Sequence, residues 1–152
     1  MVENMIKQDE KPALWNPNAA ASWCLIFTPA FGAYLHMLNW RTLGEHQRAE
    51  ASLKWFYVGI ALLVLYSLLG IVFANYKAAE GITRLVGFVF LLSWYFGSAK
   101  AQAKFIKERF GTNYTRKPWW KPFGFALIGI LAFMTAIFIV AFTAAFIVTI
   151  PK

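Results

Sequence analysis

Charge and cysteine are both scarce in this chain of 152 residues. Only 14% of the residues are charged and 59% are hydrophobic, whereas an average soluble domain is about 25% charged. This imbalance excludes an ordinary soluble enzyme domain and a disordered chain. Cys24 is the one cysteine, so no intrachain disulfide can form. With only two histidines, His36 and His46, the sequence has no recognisable set of metal ligands, and it predicts neither a metal nor another cofactor.

The sequence also has no recognisable catalytic set. Its seven acidic residues all lie in polar stretches, and neither a Ser/His/Asp grouping nor paired carboxylates can be assembled from it. It has no glycine-rich phosphate loop. We therefore predict that the protein is not an enzyme. The beginning of the chain is polar and lacks the apolar core of a cleavable signal peptide, so membrane insertion is expected to depend on later segments.

Long apolar runs are abundant. After a polar tail, residues 1–16, we interpret residues 17–152 as one helical membrane domain. A spanning helix needs about 20 apolar residues, and these runs are continuous rather than alternating, which argues against membrane strands. The sequence therefore predicts an all-α integral membrane protein with three full transmembrane helices and one broken segment. The apolar segments are residues 19–38, 55–74, 82–98 and 123–150.

Polar helices extend the second and third apolar segments. Residues 45–54 lead into the second, residues 99–110 follow the third, and a basic loop, residues 111–122, precedes the fourth. A tight turn between two long helices would place both polar extensions at one end, where we expect them to project into the cytoplasm. Glu45 and Glu50 could then face Lys104 and Lys107.

The first apolar segment, residues 19–38, contains Pro29 and Gly32. Proline removes a helix hydrogen bond and disfavours helix at the preceding residue. A broken backbone is tolerated in lipid only where protein or water covers it. Two alternatives stay open: a re-entrant or interfacial hairpin, or a kinked spanning helix. The segment also has a possible polar pocket, formed by Thr28, Tyr34 and His36.

A Pro-x-x-Gly pattern at Pro29 and Gly32 is followed by Asn39-Trp40-Arg41-Thr42-Leu43-Gly44. Over about residues 15–58 this resembles a set of small bacterial multi-pass inner-membrane proteins, a resemblance that implies a bacterial inner-membrane location. Physically, we expect Pro29 to bend the backbone, Gly32 to permit close helix approach, Asn39 to cap the segment and Gly44 to take the turn.

Tryptophan and lysine mark the expected membrane boundaries. Aromatic belts form at both interfaces, and anionic headgroups attract juxtamembrane Lys and Arg. The predicted interface anchors are Trp23, Trp40, Trp55, Trp119 and Trp120. The predicted contacts to lipid or to a partner are Lys100, Lys104, Lys107, Arg109, Arg116, Lys117 and Lys121. Interleaved basic and aromatic residues are also typical of nucleic-acid binding, but anchoring explains them more simply, so we predict no nucleic-acid partner.

The distribution of Lys and Arg predicts that residues 39–54 and 99–122 face the cytoplasm, because basic residues concentrate there. Two functions fit these features. One is a non-enzymatic protein that binds another membrane protein, as an accessory subunit or a toxin-immunity protein would. The alternative is a small oligomeric channel or transporter whose path is lined by residues 19–38. The expected partners are anionic lipids together with another membrane protein or a second copy of the chain.

Overall fold

The computed structural model describes residues 11–73 and 76–149 of the chain. The protein is helical, with a single two-stranded element among these residues. The helices are α1 (Pro17–Phe27), α2 (Pro29–Thr42), α3 (His46–Val72), α4 (Lys77–Trp94), a π-helical turn (Tyr95–Ala99), α5 (Lys100–Phe110) and α6 (Trp120–Thr149). The strands are β1 (Ala13–Leu14) and β2 (Thr115–Arg116).

The first apolar segment forms a helical hairpin. The side-chain oxygen of Asn16 accepts from the backbone N–H groups of Asn18 and Ala19, so Asn16 caps α1 and Pro17 occupies its first turn. The chain reverses at Thr28, whose φ is 113°, and α2 begins at Pro29. The two helices pack against each other rather than forming one bent rod.

Three helices are long and apolar enough to cross a membrane among the described residues: His46–Val72, Glu80–Phe110 and Trp120–Ile147. This finding confirms the prediction of a helical chain with three such segments. Residue 74 of the predicted segment 55–74, residue 150 of the segment 123–150 and residues 1–10 of the polar tail lie outside the described residues.

The first two of these long helices, His46–Val72 and Glu80–Phe110, run antiparallel. The Trp55 and Phe90 rings lie 5.6 Å apart between centroids, and the Arg48 guanidinium lies 4.7 Å above the Phe105 ring. Residues 45–54 and 99–110 therefore lie at the same end. The π-helical turn at Tyr95–Ala99 interrupts the α-helical hydrogen bonding of the second long helix, Glu80–Phe110. Gly111 ends this helix with φ 56°, and Gly44 forms the earlier turn with φ 75°.

A short parallel bridge joins the tail to the basic loop, which the sequence did not predict. Ala13 pairs with Thr115, and Leu14 pairs with Arg116. Backbone bonds from Thr115 to the Pro12 carbonyl (3.0 Å) and from Lys117 to the Leu14 carbonyl (2.9 Å) hold the strands together. The tail thus lies at the same end of the molecule as residues 111–122.

α6 packs on the remainder of the chain near its beginning. The Trp23 and Phe123 rings meet edge to face at 4.8 Å, and Phe27 stacks on Phe123 at 5.6 Å. From Gly124 to Ile147 every described side chain is at least partly exposed. α6 is therefore attached at one end and unpacked along most of its length.

Candidate functional site

The hairpin closes where Gly32 faces Cys24. A Cβ atom added at Gly32 would lie 2.1 Å from the Cys24 sulfur and 2.7 Å from the Trp94 ring. Both neighbouring side chains are buried. Only glycine fits at this position, so the predicted role of Gly32 in close helix approach agrees with the structure. A kinked spanning helix would place residues 24 and 32 about 12 Å apart along its axis, which this contact excludes.

A buried polar cluster joins the tail, the hairpin and α5. The Asn39 side-chain oxygen accepts from the Trp15 N–H at 3.0 Å, and its amide donates to the Trp15 carbonyl at 2.8 Å. The same amide lies 3.2 Å from the Gln102 side-chain oxygen. Gln102 in turn donates to the His36 carbonyl at 2.8 Å. We call Trp15, His36, Asn39 and Gln102 the polar cluster.

The predicted role of Asn39 as a helix cap is wrong. Its side chain is fully buried and is occupied by the backbone of Trp15 and the side chain of Gln102. Because an unpaired buried polar group is costly, Asn39 fixes the position of the tail rather than the end of a helix. α2 continues past it to Thr42.

The predicted pocket of Thr28, Tyr34 and His36 does not form as one site. The His36 ring is fully buried, packs 5.5 Å from the Trp94 ring, and has Nε2 3.3 Å from the Pro17 carbonyl oxygen. A carbonyl only accepts, so Nε2 must be the protonated nitrogen. Thr28 and Tyr34 instead line a separate apolar groove. Tyr34 and His36 are two residues apart on α2 and therefore point to different sides of the helix, and Thr28 precedes the helix.

That groove has a volume of about 510 Å³. Its walls come from the hairpin, α3 and α6, represented by Phe31, Ile60 and Phe133. Lys121 is the one charged residue of its lining. We call this cavity the apolar groove.

Trp40 is not an interface anchor, contrary to the prediction. Only 2% of it is exposed, and it packs with Met37 and Ala49. Its ring meets Phe105 at 5.1 Å, with the Arg48 guanidinium 5.0 Å above it. Trp40 therefore belongs to the core that joins α2 to α3 and α5.

The other predicted anchors occupy different environments. Trp55 is half-buried and packs against a buried cluster formed by Cys24, Ala33, Trp94 and Ala99. Trp23 and Trp119 are half-buried and lie 6.5 Å apart between ring centroids at the base of α6. Trp120 is 68% exposed and matches the exposure that an anchor needs.

The basic residues of α5 are exposed, as a headgroup or partner contact requires: Lys100, Lys104, Lys107 and Arg109. Glu45 and Lys104 form ion pairs with neighbours in their own helices rather than the expected pairing across the two helices. Glu45 lies 3.7 Å from Arg48 and Lys104 lies 3.8 Å from Glu108, each within one helical stretch. Such exposed pairs add little stability.

Lys117 stands apart from the other cations of the basic loop. Arg116 and Lys121 are exposed, whereas Lys117 is half-buried. The Lys117 ammonium lies 4.5 Å above the Trp15 ring and donates to the Thr42 hydroxyl at 3.3 Å. Burial lowers the pKa of Lys117 from its usual value. Its charge is thus incompletely solvated beside Trp15, which lines the apolar groove.

Comparison with protein-family models, with curated proteins and with solved structures returns no match. The resemblance of residues 15–58 to small bacterial inner-membrane proteins therefore stays a prediction. Two residues of the polar cluster, Trp15 and Gln102, were not predicted from the sequence. Gln102 lies in the polar run Ala99-Lys100-Ala101-Gln102-Ala103-Lys104, where nothing distinguishes a buried glutamine from a solvated one.

Proposed function

We propose that this is a non-enzymatic membrane protein that acts by binding another membrane protein through α6. The observation that supports the proposal is that no described side chain of α6 from Gly124 to Ile147 is buried and that most of them are exposed. A helix that is apolar all round belongs inside a larger assembly or in lipid. Ring contacts hold α6 to the hairpin near its beginning, where Phe123 meets Trp23 and Phe27.

The face of α6 opposite the apolar groove is the surface proposed to bind a partner. At 100° per residue, Leu131, Thr135 and Phe142 lie together on this face. Leu131 is 59% exposed and Phe142 is 64% exposed. Membrane helices associate through close packing because lipid supplies no hydrophobic drive, and a helix anchored only at one end is free to present such a face.

We propose a bacterial inner membrane as the location, with three spans and the hairpin re-entrant from the cytoplasmic side. The tail pairs with the basic loop, so the two are on one side. With that arrangement, 12 of the 15 basic residues are cytoplasmic, which agrees with the excess of Lys and Arg that cytoplasmic loops carry. Loops 39–54 and 99–122 lie on this side.

The hairpin does not support the channel alternative. The three polar residues expected to line a path are divided between a buried cluster and an apolar groove. His36 is enclosed by Trp94 and the Pro17 carbonyl rather than facing an opening. We therefore give the hairpin a structural role in the proposal.

A photoreactive amino acid at Leu131 tests the proposed partner surface in native membranes. We expect a discrete covalent adduct between this chain and a second, different membrane protein. The matched control is the same amino acid at Ile82, which is 63% exposed on α4, and it should give no such adduct. An adduct of the chain with itself, or with lipid alone, would contradict the proposal.

Bulky substitutions on the two faces of α6 make the test specific. Thr135→Trp should reduce the Leu131 adduct at least fivefold, the change expected from roughly 1 kcal/mol of lost packing. Gly129→Trp lies on the groove face and should leave the adduct unchanged. Equal effects of the two substitutions would count against a defined binding face.

A further inference from the structure

The apolar groove combines a hydrocarbon-like interior with a cationic opening. Its volume of about 510 Å³ falls within the range of about 300–1,000 Å³ that small-molecule sites occupy. Phe31, Ile60 and Phe133 form three of its walls, and none of its lining residues is acidic. Such a cavity suits an apolar chain that carries a negative group at one end.

Two lysines stand at the same end of the groove. Lys121 lines it directly, and the Lys117 ammonium lies 4.5 Å above the ring of Trp15, another lining residue. The loop 111–122 contains three basic residues and no acidic one. Since Lys117 is half-buried and its pKa is lowered by that burial, an anion nearby would stabilise its charged form.

The charge at the opening argues against an apolar protein helix as the occupant of the groove. Such a helix would leave the ammonium groups of Lys121 and Lys117 without an anionic partner. A free phosphate would leave the apolar walls unused, and a neutral lipid would leave the lysines unused.

We propose that the apolar groove binds one anionic phospholipid, with an acyl chain between the hairpin, α3 and α6 and with the phosphate beside Lys121 and Lys117. This site lies on the face of α6 opposite Leu131 and does not depend on the partner of the proposed function. The bound lipid covers the inner face of α6, which the chain itself leaves unpacked.

Native mass spectrometry of the purified full chain in neutral detergent tests the proposal. Phosphatidylglycerol, phosphatidylcholine and inorganic phosphate are titrated separately. We expect one phosphatidylglycerol to bind at least fivefold more tightly than phosphatidylcholine, and inorganic phosphate not to displace it. Equal binding of the two lipids, or displacement by inorganic phosphate, would overturn the assignment of an anionic phospholipid.

Two glycines of α6 provide a matched pair of variants. A Cβ at Gly124 or at Gly129 meets nothing within 4 Å, but only Gly129 lines the groove. Gly129→Trp should weaken phosphatidylglycerol binding about tenfold, and Gly124→Trp should not. Lys121→Gln should reduce the preference for phosphatidylglycerol about fivefold, as expected for one lysine at an anionic surface, whereas Lys100→Gln should not. Equal effects within either pair would overturn the proposal.

Photolabelling of the wild-type chain tests the site without any variant that could fail to fold. Phosphatidylglycerol with a photoreactive group in one acyl chain should label residues of the groove walls, such as Ile60 and Phe133. Labels confined to the outer face of α6 or to α4 would overturn the site. A dimer that forms in the wild type and disappears in Gly129→Trp would show a second copy in the groove and would also overturn it.

Discussion

Gly32→Ala tests the close approach that folds the hairpin back on itself. The added methyl group would lie 2.1 Å from the Cys24 sulfur and 2.7 Å from the Trp94 ring, and both side chains are buried. Forcing a methyl group into a packed core costs about 1–3 kcal/mol, and two such contacts favour the upper value. Alanine recovers about 1 kcal/mol of helix propensity relative to glycine. We therefore expect a net loss of about 2 kcal/mol in the free energy of unfolding.

The Cys24→Ala substitution separates the two contacts. Alone, it removes one buried sulfur and should cost about 1 kcal/mol. Combined with Gly32→Ala it removes the tighter contact but not the contact with Trp94, so the double variant should be more stable than additivity predicts by about 1 kcal/mol.

Unfolding by sodium dodecyl sulfate in mixed micelles, followed by circular dichroism, measures these differences. Gly70→Ala is the matched control, because its Cβ meets nothing within 4 Å, and it should change stability by less than about 1 kcal/mol. A Gly32→Ala variant as stable as the wild type would refute the close approach. Strict additivity with Cys24→Ala would show that the sulfur is not the obstacle.

Three further variants test the backbone, the polar cluster and the topology. Thr28→Gly should raise stability by about 1–3 kcal/mol, because it relieves a non-glycine residue at φ 113°; Thr28→Val should give no gain in the same unfolding assay. Gln102→Leu should lower stability by about 2 kcal/mol, since it removes two buried hydrogen bonds, one with the Asn39 amide and one with the His36 carbonyl, whereas Gln47→Leu at an exposed position should have little effect. Lys11→Cys in a Cys24→Ala background should react with an impermeant thiol reagent only after the cells are permeabilised, and labelling of intact cells would contradict the cytoplasmic tail.

The long helices were predictable because their signal is local. The apolar runs indicate the helices themselves, and the glycines Gly44 and Gly111 stand next to the beginning of α3 and the end of α5, each with a positive φ. The π-helical turn at Tyr95–Ala99 was not predicted, because a single extra residue in a helical turn leaves no periodic mark in so uniformly apolar a stretch.

The path of the hairpin could not be predicted, because it depends on residues far apart in sequence. Proline at position 29 is compatible with a kinked span and with a reversal, and only the contact of Gly32 with Cys24 and Trp94 distinguishes them. For the same reason Asn39 was interpreted as a cap. Its partners, Trp15 and Gln102, lie 24 and 63 residues away along the chain.

The polar groups of α6 restrict how a partner can recognise it. The hydroxyls of Thr135 and Thr143 donate at 2.8 Å to the carbonyls of Leu131 and Ile139 in the preceding turn. The hydrogens of these two hydroxyls therefore already have acceptors within the helix, and they need no other acceptor in lipid. Recognition through this part of α6 must then depend on shape, through the fit of Leu131 and Phe142 against small residues of a facing helix. A polar substitution on the partner's facing surface would meet no free hydroxyl donor from Thr135 or Thr143, so we expect binding to tolerate changes of side-chain polarity less well than changes of apolar shape that preserve volume.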